Sequence, residues 1–92
     1  MTTTVTLMGA GGKMGCRITD QLMDDARYDM RYVEPAAEGQ ERLSERDVSV
    51  TPQDEALQGT DVVVLAVPDD LLADISDEVV PLLDSGAMVV LL

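Results

Sequence analysis

The feature that most constrains this chain is a glycine-rich turn that directly follows a short apolar segment near the N-terminus. Val5–Met8 has the composition of a β-strand, and the run Gly9-Ala-Gly-Gly-Lys-Met-Gly15 comes next. After it, apolar residues share one face of a predicted helix: Met14, Ile18, Leu22 and Met23. Amides at a helix start are unpaired and carry partial positive charge, and glycines let an anion approach the backbone closely. The segment therefore predicts a phosphate-binding turn.

The rest of the chain continues the alternation of strands and helices. Further strands are predicted at Met30–Glu34, Val48–Thr51, Asp61–Val67 and Ala87–Leu92. Helices are predicted at Lys13–Ala26, at Glu38–Arg46 and after Pro68, with Pro81 expected to break or kink the last one near Asp77. The apolar run in Asp61–Val67 is typical of a strand buried on both faces. We expect an α/β fold of the Rossmann type, a doubly wound parallel sheet with strand order 3-2-1-4-5, truncated within or after the fifth strand.

The length and the last residues bear on domain organisation. The 92 residues suffice for one small domain. Because the sequence stops inside the apolar segment Ala87–Leu92, we expect residues 1–92 to be the dinucleotide-binding part of a longer protein. The alternative is a natural mini-domain.

The net charge of −12 is large for a chain of this size, with 18 acidic residues against 6 basic ones. One interpretation is an acidic surface that binds a partner. The other is adaptation to molar salt, where a Debye length of ~3 Å screens self-repulsion. The acids are dispersed along the chain, which favours a halophilic protein. Nucleic acid is not expected as a partner, because its phosphates require a basic stripe.

Several classes of function find no support in the composition. The chain has no apolar stretch of roughly 18 residues and no secretory signal pattern, so we expect a cytoplasmic protein without a membrane partner. Its single cysteine, Cys16, cannot form an internal disulfide. Histidine is absent, which excludes Ser-His and Cys-His pairs. We therefore predict no histidine-dependent catalytic pair and no metal site in this chain.

An acidic residue at the end of the second predicted strand strengthens the dinucleotide interpretation. Glu34 follows the glycine turn by about 20 residues, where an acid can accept hydrogen bonds from the ribose hydroxyls of NAD and repel the 2′-phosphate of NADP. The alternative for Glu34 is a solvated acid at a strand end. We expect Gly9 to make the turn and Gly15 to pack the helix on the strand, with Gly11 and Gly12 facing a pyrophosphate.

Two segments carry a resemblance to a known group of enzymes. GAGGKMG resembles the glycine loop of the 6-phosphogluconate dehydrogenase-like superfamily, which includes prephenate dehydrogenases and β-hydroxyacid dehydrogenases; dihydrodipicolinate reductases have a similar loop. VVVLAVPDD, residues 62–70, resembles the fourth strand of that superfamily and the turn after it. The resemblance implies an oxidoreductase domain that serves hydride transfer between a nicotinamide cofactor and a small hydroxy acid or related polar substrate.

The resemblance also implies which residues contact the cofactor. The pyrophosphate would be held by Gly9, Ala10, Gly11, Gly12, Lys13 and Met14. Glu34 would hold the adenosine ribose, and the nicotinamide side would be lined by Ala66, Val67 and Pro68. The cofactor would be NAD or NADP, with NAD favoured because no arginine follows Glu34.

The resemblance further implies a C-terminal substrate domain that holds the catalytic residues and the homo-oligomer contacts, so that residues 1–92 have no catalytic residue and are inactive alone. The alternative is a regulatory nucleotide-sensing module of a transport system, which shares the strand–glycine–helix start. The Val-Pro-Asp-Asp turn argues against that alternative.

Overall fold

The computed structural model describes residues 2–67, 69–83 and 86–91. Its strands are β1 (Thr3–Met8), β2 (Tyr28–Val33), β3 (Val62–Leu65) and β4 (Met88–Leu91). Its helices are α1 (Lys13–Leu22), α2 (Ala37–Ser44), α3 (Gln53–Ala56) and α4 (Asp69–Val79), and a 3₁₀ turn spans Val80–Leu82. Strands and helices therefore alternate along the chain, apart from the consecutive helices α2 and α3.

The four strands form one parallel sheet in the order β2-β1-β3-β4. The predicted α/β fold with a Rossmann-type parallel sheet is confirmed. The segment predicted as the third strand contributes only a single parallel bridge, Tyr32 to Val50, beside β2. That bridge lies where the predicted order places the third strand. The pairing stays short because Pro52, which has no amide hydrogen, follows directly and precedes α3.

Two apolar cores lie on opposite faces of the sheet, because side chains alternate along each strand. One core combines Val5, Leu7 and Val64 with Leu43 of α2, and Ile18 of α1 packs against it. The other core consists of Met8, Val33, Ala56, Leu57, Val63, Leu65 and Val79. Helices α1 and α2 thus cover one face and α3 and α4 the other, which is the doubly wound arrangement.

The ends of α1, α2 and α4 differ from prediction, and α2 ends at Ser44 rather than Arg46. α1 ends at Leu22 rather than Ala26, because Asp25 forms a turn in which its carboxylate accepts a hydrogen bond from the amide of Arg27 at 3.0 Å. The expected break near Asp77 is wrong, since α4 continues to Val79. Pro81 lies in the following 3₁₀ turn, where the loss of one amide donor leaves the preceding turns intact.

Candidate functional site

A cleft of about 420 Å³ lies at the carboxyl ends of β1, β2 and β3. We call it the strand-end cleft; it is lined by Met8, Gly9, Gly12, Glu34, Pro35, Ala36, Gln53, Ala66, Val67, Ile75 and Glu78. Parallel α/β sheets bind their ligands at this edge. A neighbouring hollow of about 430 Å³ is lined by Val33, Glu34, Pro35, Gln40, Val50, Thr51, Pro52 and Gln53. We call it the β2-side hollow, and the two share Glu34, Pro35 and Gln53.

The glycine turn brings β1, α1 and β3 closer together than side chains would allow. Gly9 has φ +75°, and a Cβ there would lie 2.5 Å from the carbonyl oxygen of Ala66. A Cβ on Gly15 would collide with the backbone of Gly9 and Ala10. Gly9 therefore makes the turn and Gly15 seats α1 on the end of β1, as the sequence predicts.

Most amides of the turn already have acceptors within the protein. The amides of Gly9 and Ala10 donate to the carbonyl oxygen of Val33 at 3.0 and 3.2 Å, and Gly12 donates to Gly9 at 3.0 Å. The Gly11 amide donates to Oε1 of Glu34 at 2.9 Å. The amides that have no intrahelical acceptor are those of the first turn of α1, which begins directly after Gly12.

Glu34 is buried rather than solvated, with 8% of its surface exposed. Its Oε1 accepts from Gly11, and its Oε2 accepts from the amide of Ala36 at 3.1 Å. Gly39 makes room for this side chain, because a Cβ on Gly39 would collide with the carboxyl group. An ionised carboxylate has about four acceptor positions, so two remain for a ligand. The carboxylate is held at the junction of the strand-end cleft and the β2-side hollow.

Five of the predicted site residues line the strand-end cleft: Gly9, Gly12, Glu34, Ala66 and Val67. Gly12 is the open position of the turn, since the one atom near an added Cβ would be the Gly9 carbonyl oxygen at 3.4 Å. Pro68 lies outside the described residues.

The other predicted residues have different surroundings. Ala10 is fully buried in a core. A Cβ on Gly11 would collide with the backbone of Gly39, and Arg42 donates to the Gly11 carbonyl oxygen at 2.9 Å. Gly11 therefore packs against α2 and is not among the residues that line the strand-end cleft, and its contact with a pyrophosphate stays a prediction. Lys13 lines a separate groove described below, and 43% of Met14 is exposed outside the strand-end cleft.

Sequence reasoning missed several residues that line the strand-end cleft. Pro35 and Ala36 come soon after the carboxyl end of β2, and Gln53 comes soon after Val50, which bridges to β2. The topology could therefore have suggested them. Ile75 and Glu78 come from α4. No local pattern marks them, because their place depends on how α4 lies over the sheet.

Within residues 2–67, 69–83 and 86–91, no helix has the length and apolar character needed to cross a bilayer. In the same ranges, no three acidic, cysteine or histidine residues are grouped so that they could hold a metal ion.

The parallel sheet, the glycine turn and the buried acid after β2 define a Rossmann-type dinucleotide-binding domain. Comparison with known proteins agrees. The chain belongs to the family described as NADP oxidoreductase, coenzyme F420-dependent, which matches residues 4–90. The domain is accordingly the NAD(P)-binding part of an oxidoreductase family.

Curated relatives of this chain carry the name D-apionate oxidoisomerase. The protein from Rhizobium rhizogenes is 45% identical over 91 residues, which cover 98% of this chain and 33% of the relative. The protein from Blautia hydrogenotrophica is 39% identical over 89 residues, covering 96% of this chain and 31% of the relative. The chain thus spans about a third of the length of the curated relatives it matches.

Solved structures show the same fold. A semialdehyde dehydrogenase NAD-binding protein from Cupriavidus necator, solved with calcium and NAD, has a TM-score of 0.95 and 38% identity, covering all of this chain and 33% of that protein. An NADH-preferring ketol-acid reductoisomerase from an uncultured archaeon has a TM-score of 0.75 and 24% identity, and supports the fold alone. It covers 97% of this chain and 28% of that protein.

Proposed function

We propose that this chain binds NAD in the strand-end cleft and serves an oxidoreductase that oxidises a small sugar acid of the D-apionate type. The observation that carries the proposal is the Glu34 carboxylate, fixed by the amides of Gly11 and Ala36 where two hollows meet. A carboxylate held in this way is preorganised to accept hydrogen bonds from the ribose hydroxyls, and its negative charge repels a 2′-phosphate.

Each part of the cofactor has a matching environment in this proposal. The pyrophosphate would lie beside Gly12, against the unpaired amides at the start of α1, which begins at Lys13. The adenine would occupy the β2-side hollow, between Pro35 and Pro52. The nicotinamide would lie toward Ala66 and Val67 at the end of β3. When bound, the nicotinamide supplies hydride chemistry, while this chain binds and orients it.

The names of the relatives support the substrate class. Proteins that are 38–45% identical to this chain are named D-apionate oxidoisomerase, and apionate is a small hydroxy acid. A small hydroxy acid is also what the resemblance to the 6-phosphogluconate dehydrogenase-like superfamily implies. The same names favour an enzyme over a nucleotide-sensing module of a transport system. The substrate-binding and catalytic groups, and contacts between subunits, would belong to parts of the protein beyond this domain.

The proposed cellular setting rests on charge. A net charge of −12, dispersed along the chain, supports a protein of a salt-rich cytoplasm. Nucleic acid and membrane surfaces, which are anionic, are poor partners for such a chain.

The substrate proposal is tested by turnover of the full-length protein. Purified enzyme is mixed with D-apionate and either NAD or NADP, and the absorbance of the reduced nicotinamide is followed. We expect NAD reduction that depends on D-apionate, with NADP used less well. Glyceraldehyde, which lacks the carboxylate, is the control substrate. The proposed substrate class would be contradicted if the enzyme failed to reduce NAD with every small hydroxy acid tried, including D-apionate.

A further inference from the structure

A second groove lies between α1 and α2, on the outer side of the glycine turn. Its volume is about 530 Å³, and we call it the α1–α2 groove; it is lined by Lys13, Cys16, Arg17, Asp20, Arg42 and Arg46. Four of the six basic residues of a chain with net charge −12 therefore line one groove. Basic residues are scarce in this chain, so their concentration here needs an explanation.

Helix stability does not explain the two basic residues of α1. Lys13 and Arg17 are four residues apart on α1, whereas Arg42 lies in the last turn of α2 and Arg46 two residues beyond its end, where the helix dipole favours cations. Like charges at this spacing are destabilising by about 0.2–0.5 kcal/mol per pair. Lys13 is also the first residue of α1, where the helix dipole favours an anion rather than a cation.

Internal ion pairs account for only part of the positive charge. Nε of Arg46 lies 2.7 Å from Oδ1 of Asp20, and this hydrogen bond lowers the pKa of Asp20 and raises the pKa of Arg46. Arg42 uses one N–H group on the Gly11 carbonyl oxygen. Among the described residues, no carboxylate forms an ion pair with Lys13 or Arg17. An ammonium group and a guanidinium group therefore line the groove without an acid partner in that part of the chain.

We propose that the α1–α2 groove binds a phosphate-type oxyanion at Lys13, Arg17 and Arg42. A guanidinium group recognises such an anion through paired N–H donors, and a lysine adds a compact charge. The anion relieves the repulsion within the groove. It also acts on the glycine turn, because Arg42 holds Gly11 and Lys13 begins α1. The inference rests on the residues of the groove itself and not on the NAD site proposed for the strand-end cleft.

The test is a titration with inorganic phosphate, followed by amide NMR and calorimetry at the lowest salt at which circular dichroism shows folded protein. Arg17→Gln removes one charge from the groove, and Arg27→Gln removes one from an exposed arginine elsewhere. We expect saturable binding with shifts at Lys13, Arg17 and Arg42. Arg17→Gln should weaken it about tenfold, as expected for loss of a charge-assisted hydrogen bond, and Arg27→Gln should leave it unchanged.

Parallel titrations identify the molecule that carries the phosphoryl group. If Arg17→Gln weakens NADPH binding but not NADH binding, the 2′-phosphate of the dinucleotide is the anion. If both dinucleotides bind as before while phosphate binding falls, a separate small molecule is the ligand. The inference fails if wild-type protein shows no saturable phosphate binding, or if Arg27→Gln weakens it as much as Arg17→Gln. A failure of NADH binding alone would count against the proposed function and leave this result intact.

Discussion

At the scale of single residues, Glu34 connects the fold to the proposed function. Its carboxylate accepts hydrogen bonds from two backbone amides, one in the glycine turn and one in the residue before α2. The side chain is buried, and the absence of a side chain at Gly39 makes space for it. From its position after the second predicted strand, the sequence predicts that Glu34 contacts the cofactor ribose. Its role as a structural acceptor could not be predicted, because it depends on α2 approaching the turn at Gly11 and Gly39.

Glu34→Gln tests this double role. A glutamine places an NH₂ group against one of two amide donors, so one buried hydrogen bond is lost. We expect the free energy of unfolding to fall by about 1–3 kcal/mol. The affinity for NADH should fall as well, measured by titration of the folded variant. Glu41→Gln, which removes the same charge from an exposed position farther along α2, should change neither quantity appreciably. The role assigned to Glu34 would be contradicted if the two variants had the same free energy of unfolding and the same affinity for NADH.

A second residue-scale prediction concerns the turn after α1. The Arg27 guanidinium, with the Arg27 amide, lowers the pKa of the Asp25 carboxyl from 3.8 to about 2. A carboxyl whose pKa is lowered by folding stabilises the fold above its ordinary pKa. That contribution is lost as the pH falls from about 4 towards 2. NMR titration should show the low pKa in wild-type protein and a higher pKa in Arg27→Ala, still below 3.8 because the backbone amide of residue 27 remains as a donor. An unchanged pKa in the variant would show that the ion pair is not its cause.

At the scale of elements, the glycine turn has divided tasks. Gly9 and Gly15 allow β1, β3 and α1 to approach closely, Gly11 packs against α2, and Gly12 is open to the cleft. Spacing alone predicts the turn and the start of α1. It could not predict the outward direction of Gly11, because that depends on contacts with Gly39 and Arg42, more than 25 positions away along the chain.

Two alanine variants separate these tasks. Gly12→Ala adds a methyl group in ordinary contact with the Gly9 carbonyl oxygen at 3.4 Å, so the fold should be retained while bound NADH is displaced and its affinity falls. Gly15→Ala forces the methyl group into the backbone of Gly9 and Ala10, and should cost about 1–3 kcal/mol or more of stability. Thermal melts and NADH titrations of both variants measure the two effects. Full NADH affinity in Gly12→Ala would contradict a pyrophosphate beside Gly12.

Strand predictions succeeded where burial dominates the local pattern. The apolar run around β3 and the apolar segment of β1 were predicted within one or two residues of their observed bounds. The segment around Val50 was predicted as a strand and forms only a bridge. Its pairing is limited by the adjacent proline and the turn into α3. Propensity therefore indicates extended backbone there, but it cannot determine how many residues pair.

At the scale of the whole molecule, the glycine turn separates two sites of opposite character. The strand-end cleft presents the Glu34 carboxylate, while the α1–α2 groove presents four basic residues. The remaining surface carries most of the 18 acids. The fold and the acid after β2 follow from sequence pattern. The α1–α2 groove could not be predicted from sequence pattern, because its residues come together only when α1 and the C-terminal end of α2 meet in the folded chain.

The net charge leads to a prediction about stability in salt. Raising potassium chloride shortens the Debye length from ~10 Å at 0.1 M to ~3 Å at 1 M, which screens repulsion among the acids. We expect the melting temperature to rise over this range. Sucrose, which stabilises proteins without screening charge, is the comparison, and a variant with several exposed acids changed to asparagine or glutamine should gain less from salt. A melting temperature that does not change with salt would contradict salt adaptation.

The most direct test of the central claim is a calorimetric titration of wild-type protein with NADH and NADPH, side by side in concentrated potassium chloride. If the Glu34 carboxylate contacts the ribose in the strand-end cleft, NADH should bind saturably. NADPH should bind more weakly than NADH or not at all. Absence of a saturable signal for either dinucleotide, or NADPH binding as tightly as NADH, would contradict the claim.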